Sequence, residues 1–380
     1  MEKPALYNVD LILKNTDALS GTPRILIRQA NSLIKDGANV SVIAENFHPS
    51  LKRPEIKCLK TIRWPKSVLF QRRFFDWQAR CKTRAGSIVI GHGDSLNQDI
   101  LFLHTCAHLG AEVAPGPHNK KNLSIPFHRM IFEKGTFKEI VCVSQMLKND
   151  IKKRFDVKVP IHVIYPGHNQ NLVNEIDNNV VNDIRSQLNV QEGEIVVGVI
   201  SSGDLRNRGA YATIASFGEL EESIKKKVRI LIVGKEKHPQ KIYEAAQKVG
   251  MGDRILWLSS RPDVANVIRA IDVVVHAANI EAAGITFLEC MALSRPVITT
   301  RTVGFAEILP DIQKEFIIEK QDAYLISQKL KVLLSNKELA LRMGEANQKV
   351  ASLLTWEKYD EQFIELIHNH LQDYRSDSTK

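Results

Sequence analysis

Two carboxylates, Glu281 and Glu289, stand with seven residues between them in the stretch Asn279 to Thr300, NIEAAGITFLECMALSRPVITT. Between them, Gly284 precedes the apolar run Ile285, Phe287, Leu288, which opens a helix. The first amides of a helix have no carbonyl partner inside it, and that end carries the positive end of the dipole, so Gly284, Ile285 and Thr286 can receive an anion. Glu281 then lies in the loop before the helix and Glu289 about two turns from its start. One ligand with a phosphate and hydroxyls on both sides could touch all three. A second candidate group is the glycine- and arginine-containing turn SSGDLRNRG, with Gly203, Arg206 and Arg208. Guanidinium groups grip a diphosphate in a bidentate manner, and glycines let the backbone come close to it.

The elements that must hold these residues read as an open α/β sheet. Ile271 to Ala277 (IDVVVHA) is short and β-branched, Arg295-Pro296 ends the helix, and Val297 to Thr300 starts another strand. The arginine turn follows a strand from Glu194 to Ile200, with further strands expected at Arg229 to Gly234 and Arg254 to Leu258. Near the start of the chain, a strand from Leu6 to Leu13 leads through the turn-rich Lys14 to Thr22, which contains Gly21, into a helix stopped by Gly37 and a strand from Val40 to Ala44. Strand, glycine loop, helix, strand is the opening of a doubly wound nucleotide- or acceptor-binding domain. Ser87 to Gly91 and Ile100 to Leu103 are further strands, the second closed by His104-Thr105-Cys106-Ala107-His108. Strand ends carry the sites in such sheets. With 380 residues, two domains are expected.

The stretch from His276 to Gly304 (HxA-x2-EAAG-x3-LE, then PV-x-TT-x3-G) resembles the E-x7-E signature of retaining GT-B glycosyltransferases of family 4, and its wording is similar to the lipopolysaccharide core glucosyltransferases. The resemblance is strong from Val197 to Leu309 and weak before it. It implies two Rossmann-like domains facing a cleft: 1–168 for acceptor, 169–352 for nucleotide sugar, and 353–380 as a helix and tail crossing back to the first domain. It gives Glu281 the donor-sugar hydroxyls, Gly284, Ile285 and Thr286 the distal phosphate, and Glu289 the ribose. Arg208 stands where the family has a lysine and Gly203 where it has an arginine, so Arg206 supplies the missing cation. Gly21 is what remains of the family's Gly-Gly pair, and Arg261 lies where the family reads the base. His104 is the first choice, and His108 the second, for the histidine that faces the donor.

The implied activity is metal-independent, configuration-retaining transfer of a hexose, with UDP-glucose the first choice of donor and a lipopolysaccharide-core or other lipid-linked glycan the acceptor. No cofactor and no metal are expected. Alternatives are a heptosyl- or mannosyltransferase of the same fold, a nucleotide-sugar epimerase, or a non-catalytic nucleotide-sugar-binding protein.

Charge points to where such an enzyme would meet its acceptor. The formal net charge of +9 is concentrated early: from Lys52 to Arg84 there are eleven Lys or Arg against Glu55 and Asp76, which asks for an anionic partner. Aromatics at Phe70, Phe74 and Trp77 share a helical face with Cys81, with Arg72, Arg73 and Arg80 nearby and Trp64 just upstream. A basic aromatic helix over residues 57–84 suits an anionic membrane surface; no nucleic-acid module accompanies it. The sequence contains no apolar run long enough to span a bilayer, and its N-terminus lacks an export signal, so a cytoplasmic protein peripheral on the inner face of the cytoplasmic membrane is expected. The five scattered cysteines form no CxxC pair, which fits free thiols.

Overall fold

The structure is a computed structural model that describes residues 6–16, 21–64, 67–113 and 125–378. Lys66 of the basic run, and residues 17–20 of the turn before Gly21, lie outside the described residues. The chain divides into two compact units, Met1–Pro166 with Glu357–Lys380, and Gly167–Trp356.

The first unit contains β1 (Tyr7–Ile12), β2 (Asn15–Thr16), β3 (Ala38–Ala44), β4 (Asn46–Phe47), β5 (Ile56–Lys60), β6 (Ile88–Gly91), β7 (Ile100–Leu103), β8 (Glu139–Cys142) and β9 (Ile161–Val163). Seven of these form a sheet in the order β5-β3-β1-β6-β7-β8-β9, every pairing parallel. Its inner strands β6 and β7 are apolar and buried along their whole length, whereas β5 at the edge is partly exposed and carries Lys57 and Lys60. The order turns back between β1 and β6, and the crevice beyond the carboxyl ends of those two strands is the switch point where open α/β sheets bind ligands. β2 and β4 pair with each other and tie together the loops that leave β1 and β3.

The final helix, Trp356–Ser378, belongs to this unit from Glu357 onward. Tyr359, Phe363 and Ile367 are buried along its inner face. Arg28 binds Asp360 at 2.6 Å, Gln29 Nε2 donates to Tyr359 Oη at 2.9 Å, and His370 meets Glu139 at 2.6 Å.

The second unit contains β10 (Ile195–Asp204), β11 (Val228–Lys235), β12 (Ile255–Leu258), β13 (Val273–His276), β14 (Val297–Thr300) and β15 (Ile317–Ile318) in the order β12-β11-β10-β13-β14-β15. The switch point here falls between β10 and β13, so the turn after β10 and the loop after β13 are neighbours at one end of the sheet. One expectation is corrected. The arginine turn begins later than expected, because β10 runs on past a register shift after Ile200 to Asp204 and takes Gly203 with it. Ahead of β10 lies a helix, Asn178–Gln187, in which Val181 and Ile184 are buried. Asp177 caps that helix by accepting from Asn179 N at 2.9 Å.

Candidate functional site

β13 ends at His276, and the chain runs through Glu281 to the helix Ile285–Ala292. Gly284 is the N-cap of that helix with φ of +111°, a left-handed conformation that side chains rarely adopt. A Cβ there would also stand 3.3 Å from Phe287 and 3.6 Å from the Glu281 carboxyl carbon, so glycine keeps the helix start open next to the acid. The Glu281 backbone is fixed on both sides by the turn after β14: its amide donates to Thr302 O at 2.9 Å, and its carbonyl accepts from Gly304 N at 2.9 Å.

The Glu281 side chain, 19% exposed, receives Arg208 Nη1 at 3.0 Å and bonds His276 Nε2 through the same oxygen. Burial pushes this carboxyl up, but Arg208 and then His276 outweigh it and hold it below the usual carboxylate range. Arg208 is fixed in turn by donating to Ile280 O at 2.9 Å, and it crosses Gly203, where a Cβ would lie 3.3 Å from its Nε. Gly209, with φ of +92°, lets the turn press against β13; a Cβ there would be 2.6 Å from Ala277 O. The structure therefore brings together Glu281, Arg208, Gly203, Gly284 and His276.

The other residues singled out are placed as follows. The Arg206 guanidinium lies 4.2 Å from the Tyr211 ring centre, on the same turn. Glu289, on the helix Ile285–Ala292, is 3% exposed and so faces inward, unlike a helix-surface acid. Ile285 is buried and Thr286 half-buried at the helix start. Arg261 forms a two-pronged pair with Asp263 at 2.8 and 2.7 Å. Gly21 begins the helix Gly21–Lys35 in the first unit.

His104, just past β7, bonds His92, just past β6, Nε2 to Nδ1 at 2.8 Å. Burial pushes His92 down to about 3 and His104 well below its ordinary value, so both rings are neutral and share one proton along that bond. His108 lies on the helix Ala107–Val113 with its ring 5.1 Å from that of His128.

Sequence reasoning missed the fasteners. Thr299 Oγ1 donates to His276 O at 3.1 Å, Thr300 Oγ1 to Ala278 O, and Thr302 Oγ1 to Ala278 O at 3.1 Å. Gln321 Nε2 reaches Arg206 O at 3.0 Å and Ala277 O at 2.9 Å, clasping the arginine turn to the end of β13. The threonines were visible as a pair; nothing about Gln321 marks it in the sequence.

Comparison with known proteins bears on this unit most directly. The family described as Glycosyl transferases group 1 matches residues 180–350. That match covers less than half of the chain. Among curated relatives, the lipopolysaccharide glucosyltransferase WaaG of Escherichia coli (strain K12) is 28% identical over 189 residues, 49% of this chain and 50% of that protein. The chain thus matches about half the length of that relative. A crystal structure of WaaG, a glycosyltransferase involved in lipopolysaccharide biosynthesis, has a TM-score of 0.79 at 21% identity, covering 94% of this chain and 99% of that one. Anabaena HepE in complex with UDP-glucose has a TM-score of 0.72 at 14% identity, with 95% and 99% covered. These likenesses show the fold: the chain's two units have the GT-B fold.

Proposed function

We propose that this protein is a retaining, metal-independent glycosyltransferase that moves a hexose from a nucleotide sugar, UDP-glucose first, to a lipopolysaccharide-core or other lipid-linked glycan. The observation that carries this reading is Glu281, held by Arg208 and His276 beside the Gly284 helix start at the switch point of the second sheet. A nucleotide sugar matches that array part by part. Its hydroxyls take Glu281, its distal phosphate takes the amides of Gly284, Ile285 and Thr286, and its ribose takes Glu289. As the bond to the leaving diphosphate breaks, negative charge grows on phosphate oxygens. Arg206, Arg208 and the helix amides then bind the transition state more tightly than the ground state, which is what accelerates the step. His104, hydrogen-bonded to His92, is assigned to the sugar. The relationship to WaaG and the likeness to a UDP-glucose complex support the choice of donor.

The acceptor side rests on the helix Val68–Lys82. Phe75 and Ala79 pack into the core with Ile12, Ile43 and Val89. The opposite face shows Phe70 and Trp77, 62% and 58% exposed, next to Trp64 at 63%. Phe74 links Trp64 and Trp77, with ring centres at 5.4 and 5.6 Å. Arg73 and Arg80 are exposed on the same helix, whereas Arg72 turns inward to Asp94 and is not a headgroup cation. Rings of this kind with flanking cations suit an anionic bilayer that presents the acceptor. No described helix is long and apolar enough to cross a membrane.

Calorimetry of the purified protein against UDP-, GDP-, ADP- and CMP-sugars, with and without EDTA, tests the reading. Binding of one UDP-hexose that survives EDTA is expected; no binding to any of them would overturn it.

A further inference from the structure

Gln321 lies in the second unit, in the loop between β15 and the helix Ala323–Ser335. Its neighbour steadies that loop: Asp322 caps the helix, accepting from Leu325 N at 3.0 Å. From there the Gln321 side chain reaches two other loops. Nε2 donates to Arg206 O at 3.0 Å and Asn207 O at 3.2 Å on the arginine turn, and to Ala277 O at 2.9 Å just past β13. Oε1 accepts from Asn279 Nδ2 at 3.4 Å. Carbonyl oxygens only accept, so three of them around one atom require a donor there, and the amide nitrogen brings two N–H groups.

These contacts converge on Arg206. Its amide donates to Asp204 Oδ1 at 2.9 Å, its carbonyl accepts from Gln321, and the next carbonyl, that of Asn207, also accepts from Asn279 N at 2.8 Å. The Arg206 guanidinium rests on the Tyr211 ring, whose Oη donates to Glu236 Oε2 at 2.9 Å. Arg208, two residues on, has anchors of its own in Glu281 and Ile280 O. Arg206 is exposed and its stem is long and flexible, so where its charge stands depends on where its backbone is held. Water can replace a half-buried amide at these carbonyls, so little stability depends on Gln321. What water cannot supply is a fixed distance between the turn and the loop that leads to Glu281.

We infer that Gln321 is a positioning residue for the diphosphate: by tying the carbonyls of Arg206 and Asn207 to that of Ala277, it sets the Arg206 charge against the Glu281 loop. This rests on the transferase reading, which gives Arg206 the diphosphate. The position calls for a donor. Glutamate would set a carboxylate against three carbonyl oxygens, alanine would remove the tie, and lysine would bring three N–H groups to the same place.

The test is calorimetry of the full-length protein with UDP, with uridine measured by competition against it. Uridine lacks the diphosphate and so reports the rest of the site. Gln321→Ala is expected to weaken UDP about tenfold, as loss of one charge-assisted contact does, and to leave uridine within about twofold of wild type. Arg206→Ala is expected to weaken UDP by a similar factor, and adding Gln321→Ala to it to cost less than about twofold more, because the clasp then has no charge to position. Gln321→Lys should bind UDP within about threefold of wild type, and Gln321→Glu should fall at least as far as Gln321→Ala. A purely structural tie would instead lower the thermal midpoint and weaken both ligands together. Wild-type UDP affinity in Gln321→Ala, an equal loss of uridine and UDP, or full additivity with Arg206→Ala overturns the inference and leaves the transferase reading standing, since the wild type binds UDP in each case. Wild-type protein that binds no UDP removes that reading, and this inference with it.

Discussion

Glu281 shows how one residue is made ready by three others. Its backbone is locked by the turn at Thr302 and Gly304, and its carboxylate is oriented by Arg208 and His276. Removing the charge while keeping the shape isolates its contribution. Glu281→Gln is expected to lower transfer about 10²- to 10³-fold, the size of losing one oriented polar contact to the transition state. Nucleotide affinity should change only a few-fold, since Glu281 is assigned to the sugar, whereas Glu289→Ala should weaken UDP binding itself. Steady-state kinetics paired with UDP calorimetry checks both, and wild-type behaviour in both variants would refute the site. At Gly209 the constraint is steric. With φ of +92° and a carbonyl oxygen 2.6 Å from where a Cβ would stand, Gly209→Ala should cost about 2–4 kcal/mol in urea unfolding.

At the scale of an element, the helix Val68–Lys82 carries two apolar faces with different purposes. The Phe75 face is core, and the Phe70, Phe74, Trp77 face is at the surface. Trp77→Ser should leave stability within about 0.5 kcal/mol, while Phe75→Ala should cost about 3–5 kcal/mol. On vesicles containing phosphatidylglycerol, Trp77→Ser and Arg73→Gln should each reduce sedimentation of the protein, and added salt should do the same. Binding indifferent to lipid charge would remove the membrane assignment. The spacing of Phe70, Phe74, Trp77 and Cys81 already defined one helical face. It did not say which face was outside, because aromatic residues serve a core and a bilayer equally well.

Across the whole molecule, buried histidines make acid the weak side. His92 and His128 are held neutral by burial, each pushed down to about 3. Below the ordinary value of about 6.5, the unfolded chain takes up protons that the folded chain refuses, so each such histidine lowers stability by ~1.4 kcal/mol per pH unit until the folded value is reached. Glu139 works in a lower window. Burial raises it, but His162 and His370 bring it down to about 2, so its contribution is present above about pH 4.3 and lost as pH falls toward 2. Thermal unfolding should therefore shift down between pH 7 and 5. Neither ring nitrogen of His128 has a hydrogen-bond partner among the described residues, so His128→Phe should raise the midpoint and flatten its pH dependence. A steeper acid loss in that variant would contradict the assignment.

What the sequence determined by itself was the local chemistry. Gly284 ahead of an apolar helix start, flanked by two glutamates and bounded by β-branched strands, is written in adjacent residues whose backbone preferences agree. The helix Asn178–Gln187 is hard to read for the converse reason: three apolar positions, Val180, Val181 and Ile184, stand among polar ones. Tertiary structure alone decided what lies beside what. Arg208 and Glu281 are 73 positions apart in the chain, and they meet because β10 and β13 are neighbours in the sheet. Backbone propensity is a property of neighbours in sequence; burial and pairing are properties of neighbours in space, and a parallel sheet sets those neighbours through crossovers many residues long.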